Sequence, residues 1–91
     1  MSERSRIEEN IRVVRSRRDE HLNAERDYLR QADQYRGQRE RVSDPTRTYE
    51  HQREMDAKAD AARVDADRAR RSAASADIEI RNLENELRSL R

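Results

Sequence analysis

The residues that most often carry out catalysis are absent or isolated in this sequence. It contains no cysteine, and its two histidines, His21 and His51, stand far apart. The lack of cysteine excludes thiol catalysis, disulfides and the usual zinc sites. Gly37 is the only glycine, so a glycine-rich loop that cradles phosphate is excluded as well. We therefore expect no enzyme, no cofactor and no metal site.

Arginine is the most distinctive residue type, since Lys58 is the only lysine among 21 cationic residues. Guanidinium groups bind phosphate and carboxylate in a planar, bidentate geometry. A candidate anion-binding band consists of Arg15, Arg17, Arg18, Arg68, Arg70 and Arg71. Aromatic residues that would stack on bases are not interleaved with it, and the formal net charge is only +1. We interpret this band as a solvated, salt-bridged face, with nucleic-acid binding as the weaker alternative. The simpler explanation of the arginine bias is a GC-rich genome.

The composition restricts the fold to two classes. Of 91 residues, 45% are charged and 32% are hydrophobic, and there is neither Trp nor Phe. Such a chain cannot fill a conventional globular core. It is either disordered or a long-helix protein with a narrow apolar seam, and only the spacing of the apolar residues distinguishes these classes.

The spacing of the apolar residues favours long helices. In the second half, steps of three and four connect a row without a polar residue: Met55, Ala59, Ala62, Ala66, Ala69, Ala73, Ala76, Ile80, Leu83, Leu87 and Leu90. Such spacing is typical of a coiled-coil seam. A similar row in the first half, with Arg18, His21 and Glu25 at its centre, contains Ile7, Ile11, Val14, Tyr28 and Tyr35. We expect Arg18 and Glu25 to cover alanines with the aliphatic parts of their side chains while their charged ends stay in water, with His21 as an amphipathic filler. The alternative is that the three residues form a pH-sensitive polar layer inside the seam.

Ser43, Asp44 and Pro45 predict the turn between the two helices. A side-chain acceptor followed by Pro is typical of a helix start, and Pro disfavours helical geometry in the residue before it. We therefore predict an all-α fold with two long helices, about 3–42 and 45–90, in an antiparallel coiled-coil hairpin with its turn at 43–46. The first helix is expected to continue through Gly37. Residues 1–91 are expected to form one domain that assembles into a larger helical bundle or oligomer.

The expected alignment of the two helices leaves some apolar residues without cover. With the bend at the Ser-Asp-Pro element, Ile7 is expected opposite Ile80. Leu87 and Leu90 would then have no residue of the first helix to cover them, because their partners would lie before Met1. We predict that the exposed stripe that contacts a second copy or another helical protein consists of Leu83, Leu87 and Leu90. A further stripe off the seam is interpreted equally well as a docking face for a neighbouring hairpin or as scattered helix-forming residues; it contains Ala57, Ala61, Val64 and Ile78.

The Ser43-Asp44-Pro45 element resembles the hairpin turn of the needle subunits of type III secretion, and the match covers those three residues. In place of the apolar C-terminal segment of needle subunits, this chain has a charged heptad helix. In length and predicted architecture it is also similar to the WXG family of type VII secretion substrates, although it contains no Trp. Both resemblances concern the fold alone, so they imply a hairpin and transfer no site residue.

These features favour a non-enzymatic structural or assembly protein that acts through helix–helix self-association. The alternative is an adaptor or chaperone-like hairpin that completes a bundle with a different protein, including a component of a secretion system. A small nucleic-acid-binding protein that uses the arginine band is a third hypothesis. Because the sequence contains no apolar run typical of a signal peptide or membrane span, the expected location is the cytoplasm, with signal-less secretion as an open alternative.

Overall fold

Two long helices account for most of residues 2–40 and 45–90, which are the residues that the computed structural model describes. Helix α1 spans Glu3–Arg39, and helix α2 spans Pro45–Ser89. The two helices pack against each other as a hairpin. They run antiparallel, since later residues of α1 contact earlier residues of α2. The predicted all-α hairpin is confirmed.

The helix ends follow local sequence signals. Ser2 caps α1, because its Oγ accepts a hydrogen bond of 3.1 Å from the backbone N–H of Ser5. Helix α2 begins at Pro45, where the missing N–H of Pro costs nothing. Helix α1 ends at Arg39, earlier than the predicted end near residue 42, because the chain needs several residues to reverse direction. The predicted turn residues Ser43 and Asp44 lie outside the described residues.

Gly37 lies inside α1, as predicted from the sequence. A Cβ atom at this position would meet no atom within 4 Å, so packing does not require glycine there. The residue has no positive φ that would require glycine. Since Gly costs about 1 kcal/mol relative to Ala inside a helix, this position weakens the last turns of α1.

The contacts group the chain into two compact units, and each unit contains part of both helices. The first unit contains the described residues of 1–23 and 69–91, and the second contains those of 24–68. Buried apolar side chains occupy seam positions in both units: Ile7, Ile11, Val14, Ala69, Ala73, Ala76 and Ile80 in the first, and Ala32, Met55, Ala59, Ala62 and Ala66 in the second. Half-buried side chains fill the remaining seam positions of α1: Arg18, His21, Glu25, Tyr28, Tyr35 and Arg39.

The predicted alignment of the helices is wrong by about one heptad. Leu83 and Leu87 pack against the apolar cluster that contains Ile7 and Ile11, so α1 covers part of both leucines. The expected alignment had placed Leu87 beyond the start of α1. A shift of about seven residues keeps every seam position in the seam, so the heptad pattern alone does not fix the alignment. Burial of the two leucines and the ion pairs described below favour the observed one.

Candidate functional site

The first unit contains an apolar cluster near the start of α1 and the end of α2. Its buried members are Ile7, Ile11, Val14, Ala76 and Ile80, with Leu83 and Leu87 packed against them. The three members from α1 are spaced by four and three residues, which places them on one face of the helix. Here large aliphatic side chains meet from both helices, so this cluster buries more apolar surface per residue than an alanine layer would.

Two ion pairs join α1 to α2 beside this cluster. Arg15 Nη2 lies 3.3 Å from Glu84 Oε1, and Arg18 Nη1 lies 3.1 Å from Asp77 Oδ1. Arg18 occupies a seam position, but its side chain extends to the edge of the seam and remains 30% exposed. Its hydrogen bond to Asp77, together with a contact to Asp19, raises the pKa of the Arg18 guanidinium above its ordinary value. Both pairs connect residues of α1 with residues of α2 that the observed alignment brings together.

A surface groove lies along the same side of the first unit. It has a volume of about 490 Å³ and an apolar floor formed by Ile11 and Leu87. Its rim carries charges of both signs from Glu8, Arg12, Arg15, Glu84 and Arg88. We call these seven residues the terminal groove. Because its floor is the outer surface of the apolar cluster, a helix placed in the groove would extend the core of this unit.

Four of the five rim charges already have partners within the chain. Glu8 pairs with Arg4 at 3.2 Å, and Arg12 pairs with Glu9 at 2.8 Å. Arg15 pairs with Glu84 across the helices, as given above. These pairs are exposed, so each contributes at most about 1 kcal/mol. Their main effect is to give the rim a nearly balanced charge.

The arginines of the predicted band have different surroundings. Arg15 and Arg18 face the acidic residues Glu84 and Asp77, where the expected alignment had placed other arginines. Arg17 lines a separate depression of the first unit beside His21 and Glu79. Arg70 and Arg71 both make interactions with neighbouring groups. Arg68 belongs to the second unit.

The second unit has a different core, built from alanines. Ala32, Ala59 and Ala62 form its buried cluster, and Tyr35 packs against them half-buried. The Nζ atom of Lys58 lies 5.9 Å from the centroid of the Tyr35 ring, a distance typical of a cation–π contact. Tyr28 is also half-buried. This unit therefore closes its alanine layer with aromatic and cationic side chains.

Polar contacts at the C-terminal end of α1 were not foreseen from the sequence. His51 Nε2 lies 2.8 Å from the backbone carbonyl oxygen of Gln38, and the protonated ring nitrogen donates a hydrogen bond to it. Arg39 Nε lies 3.0 Å from Asp56 Oδ1, but its N–H is not aligned for a hydrogen bond. The last four carbonyls of a helix lack intrahelical donors, so His51 satisfies one of them. Only the folded hairpin brings His51 to Gln38.

Several large apolar side chains remain exposed in the single chain. In the first unit these are Val13, Leu22, Ile78 and Leu90. In the second they are Leu29, Tyr49 and Val64. Leu90 is 39% exposed and follows Leu87 by one turn, with its backbone N–H donating to the Leu87 carbonyl oxygen at 3.3 Å. Of the predicted association stripe, Leu83 and Leu87 are half-buried by α1, and Leu90 is open to solvent.

The described residues offer no cluster of three or more acidic or His side chains that could hold a metal ion. Neither α1 nor α2 has a stretch apolar enough to cross a membrane. No family model, curated protein or solved structure matches the sequence.

Proposed function

We propose that this protein is a non-enzymatic assembly protein that acts through helix–helix self-association. The observation that carries this proposal is the surface of the single chain. It exposes 7237 Å² of solvent-accessible surface at a mass of 10.9 kDa. A compact monomer of this mass would expose about 5,600 Å². The difference exceeds the roughly 800 Å² that each partner buries in a standard protein interface.

The distribution of polar groups supports a structural role over a catalytic one. Among the described residues, every buried side chain is apolar, and no charged or polar side chain is buried. A catalytic acid or base usually needs burial or a close charge to shift its pKa toward neutrality. Among the residues that the structure describes, the one resolved pKa shift is that of Arg18, which moves away from neutrality and follows mainly from its ion pair with Asp77.

The apolar surface supports association as the means of stabilisation. Much of the seam consists of alanine, which buries little area per side chain. A hairpin with such a core gains little from pairing its own two helices, given the entropy lost on ordering them. Covering the exposed apolar side chains with further helices would supply the missing burial, as in a four-helix bundle.

Sedimentation equilibrium of the purified chain, from low to high micromolar concentration, tests this proposal. We expect the weight-average mass to rise above 10.9 kDa with concentration, and helicity measured by circular dichroism to rise with it. A helical chain that stays monomeric throughout the range would overturn self-association. The adaptor hypothesis, in which a different helical protein covers the same apolar surface, would then lead.

A further inference from the structure

We infer that the terminal groove is the self-association surface, and that its occupant is the same groove of a second copy of this chain. The inference rests on the proposed self-association and adds the location and symmetry of the contact. Two hairpins would pack groove to groove about a two-fold axis and form a four-helix bundle from their first units. An isologous contact of this kind is the commonest arrangement in soluble homodimers.

Continuity with the hairpin's own interface supports this location. The groove floor, Ile11 and Leu87, belongs to the cluster that already joins α1 to α2. Leu90 follows Leu87 by one helical turn, outside the groove lining, and is exposed. A second hairpin over this floor would bury atoms on the outer side of an existing core. Such burial adds apolar contact without requiring either helix to move.

The charges of the rim support a second copy as the occupant. Three arginines and two glutamates line the rim, and most of them are neutralised by partners within the chain. A strongly acidic or strongly basic partner would meet charges of its own sign on this rim. A second copy brings both signs in equal measure, so acids can face arginines across the two-fold axis. With a formal net charge of +1, two copies repel each other only weakly.

Site-specific cross-linking tests the location directly, because the chain contains no cysteine. Arg12→Cys and Arg88→Cys place a thiol on the two walls of the groove, and both residues lie on its rim. Val13→Cys and Ile78→Cys are matched controls, since both positions are exposed and lie outside the groove. A short bismaleimide is added to each variant alone. It is also added to an equimolar mixture of the two groove variants and to an equimolar mixture of the two control variants. We expect the groove pair to form covalent dimers at least tenfold faster than the control pair.

A second measurement tests the contribution of Leu90, the exposed apolar residue one turn beyond the groove floor. Leu90→Ser removes a side chain that is already 39% exposed, whereas Ile78→Ser removes one that is 59% exposed elsewhere on α2. Because a dimer contains two copies of the site, Leu90→Ser should raise the dimer Kd by about tenfold. Ile78→Ser should change the Kd by less than about twofold, since its side chain stays in solvent in the proposed bundle.

The outcomes separate the two proposals. If the wild-type chain associates but the control pair cross-links as fast as the groove pair, the groove assignment fails and self-association stands. Unchanged association of Leu90→Ser at every concentration would contradict the groove assignment in the same way. If the wild-type chain does not associate at all, the proposed function fails. Circular dichroism of each variant, measured at a protein concentration well above its own dimer Kd, confirms that the hairpin is retained.

Discussion

Two adjacent valines on α1 allow a sharp test of the seam. Val14 is 2% exposed and packs in the apolar cluster of the first unit, while its neighbour Val13 is 45% exposed. Each Val→Ala change removes two methyl groups from the same helix and gains the same helix propensity, up to about 0.7 kcal/mol. Any difference between the two variants therefore reports burial alone.

The expected difference follows from the burial of the two side chains. Removing two fully buried methyl-sized groups costs about 1.6 kcal/mol, and the cavity left behind adds to that cost. Val13 is roughly half as buried as Val14, so truncating Val13 costs about half as much free energy of unfolding. The gain in helix propensity offsets most of that cost. We expect Val14→Ala to lower the free energy of unfolding by about 1–2 kcal/mol more than Val13→Ala does. A difference of this size is typical when methyl groups are removed from a protein core.

Urea unfolding followed by far-UV circular dichroism measures this difference at one protein concentration. A difference of about 1 kcal/mol corresponds to roughly 4–8 °C in Tm for a domain of this size. Equal destabilisation by the two changes would refute the assigned seam on α1. A larger effect at Val13 would mean that the helix is rotated by about 100°, the angle between successive residues.

Three further predictions concern other contacts. Gly37→Ala should stabilise the protein by about 1 kcal/mol in urea unfolding, because a Cβ there meets open space within a helix; destabilisation would show that α1 ends at that position. His51→Ala should cost about 0.5 kcal/mol, the lower end for a hydrogen bond, because the Gln38 carbonyl can turn to water; hydrogen exchange should accelerate in the last turn of α1. Glu84→Arg should lower the free energy of unfolding of the hairpin at low salt by up to about 1 kcal/mol, and adding Arg15→Glu should restore the lost stability. An equal loss of stability in the double variant would contradict the ion pair between Arg15 and Glu84.

The sequence predicted the helices and their contacting faces because charged residues are so frequent in this chain. Against that background, an uninterrupted apolar row from Met55 to Ile80 has few explanations other than a buried seam. Pro45 was equally informative, since its geometry sets the start of α2. Local rules of this kind need no knowledge of the partner helix.

The alignment of the helices and the location of the groove could not be predicted in the same way. A heptad row looks the same after a shift of seven residues, so the pattern did not distinguish the expected partners of Leu87 from the observed ones. The choice depends on long side chains that cross between helices, such as Arg15 to Glu84. The contact of His51 with Gln38 likewise joins the two helices and leaves no signal in the heptad pattern.

The unequal sizes of the seam residues give the two helices opposite evolutionary constraints. Where an alanine of α2 is buried, as at Ala59 and Ala73, any larger residue would force the helices apart. At Ile7 and Val14 of α1, a smaller residue would leave a void instead. Homologous sequences should therefore retain small residues at most buried positions of α2 and large apolar residues at the buried positions near the start of α1. Paired changes that exchange volume between the helices would be the route by which the seam evolves.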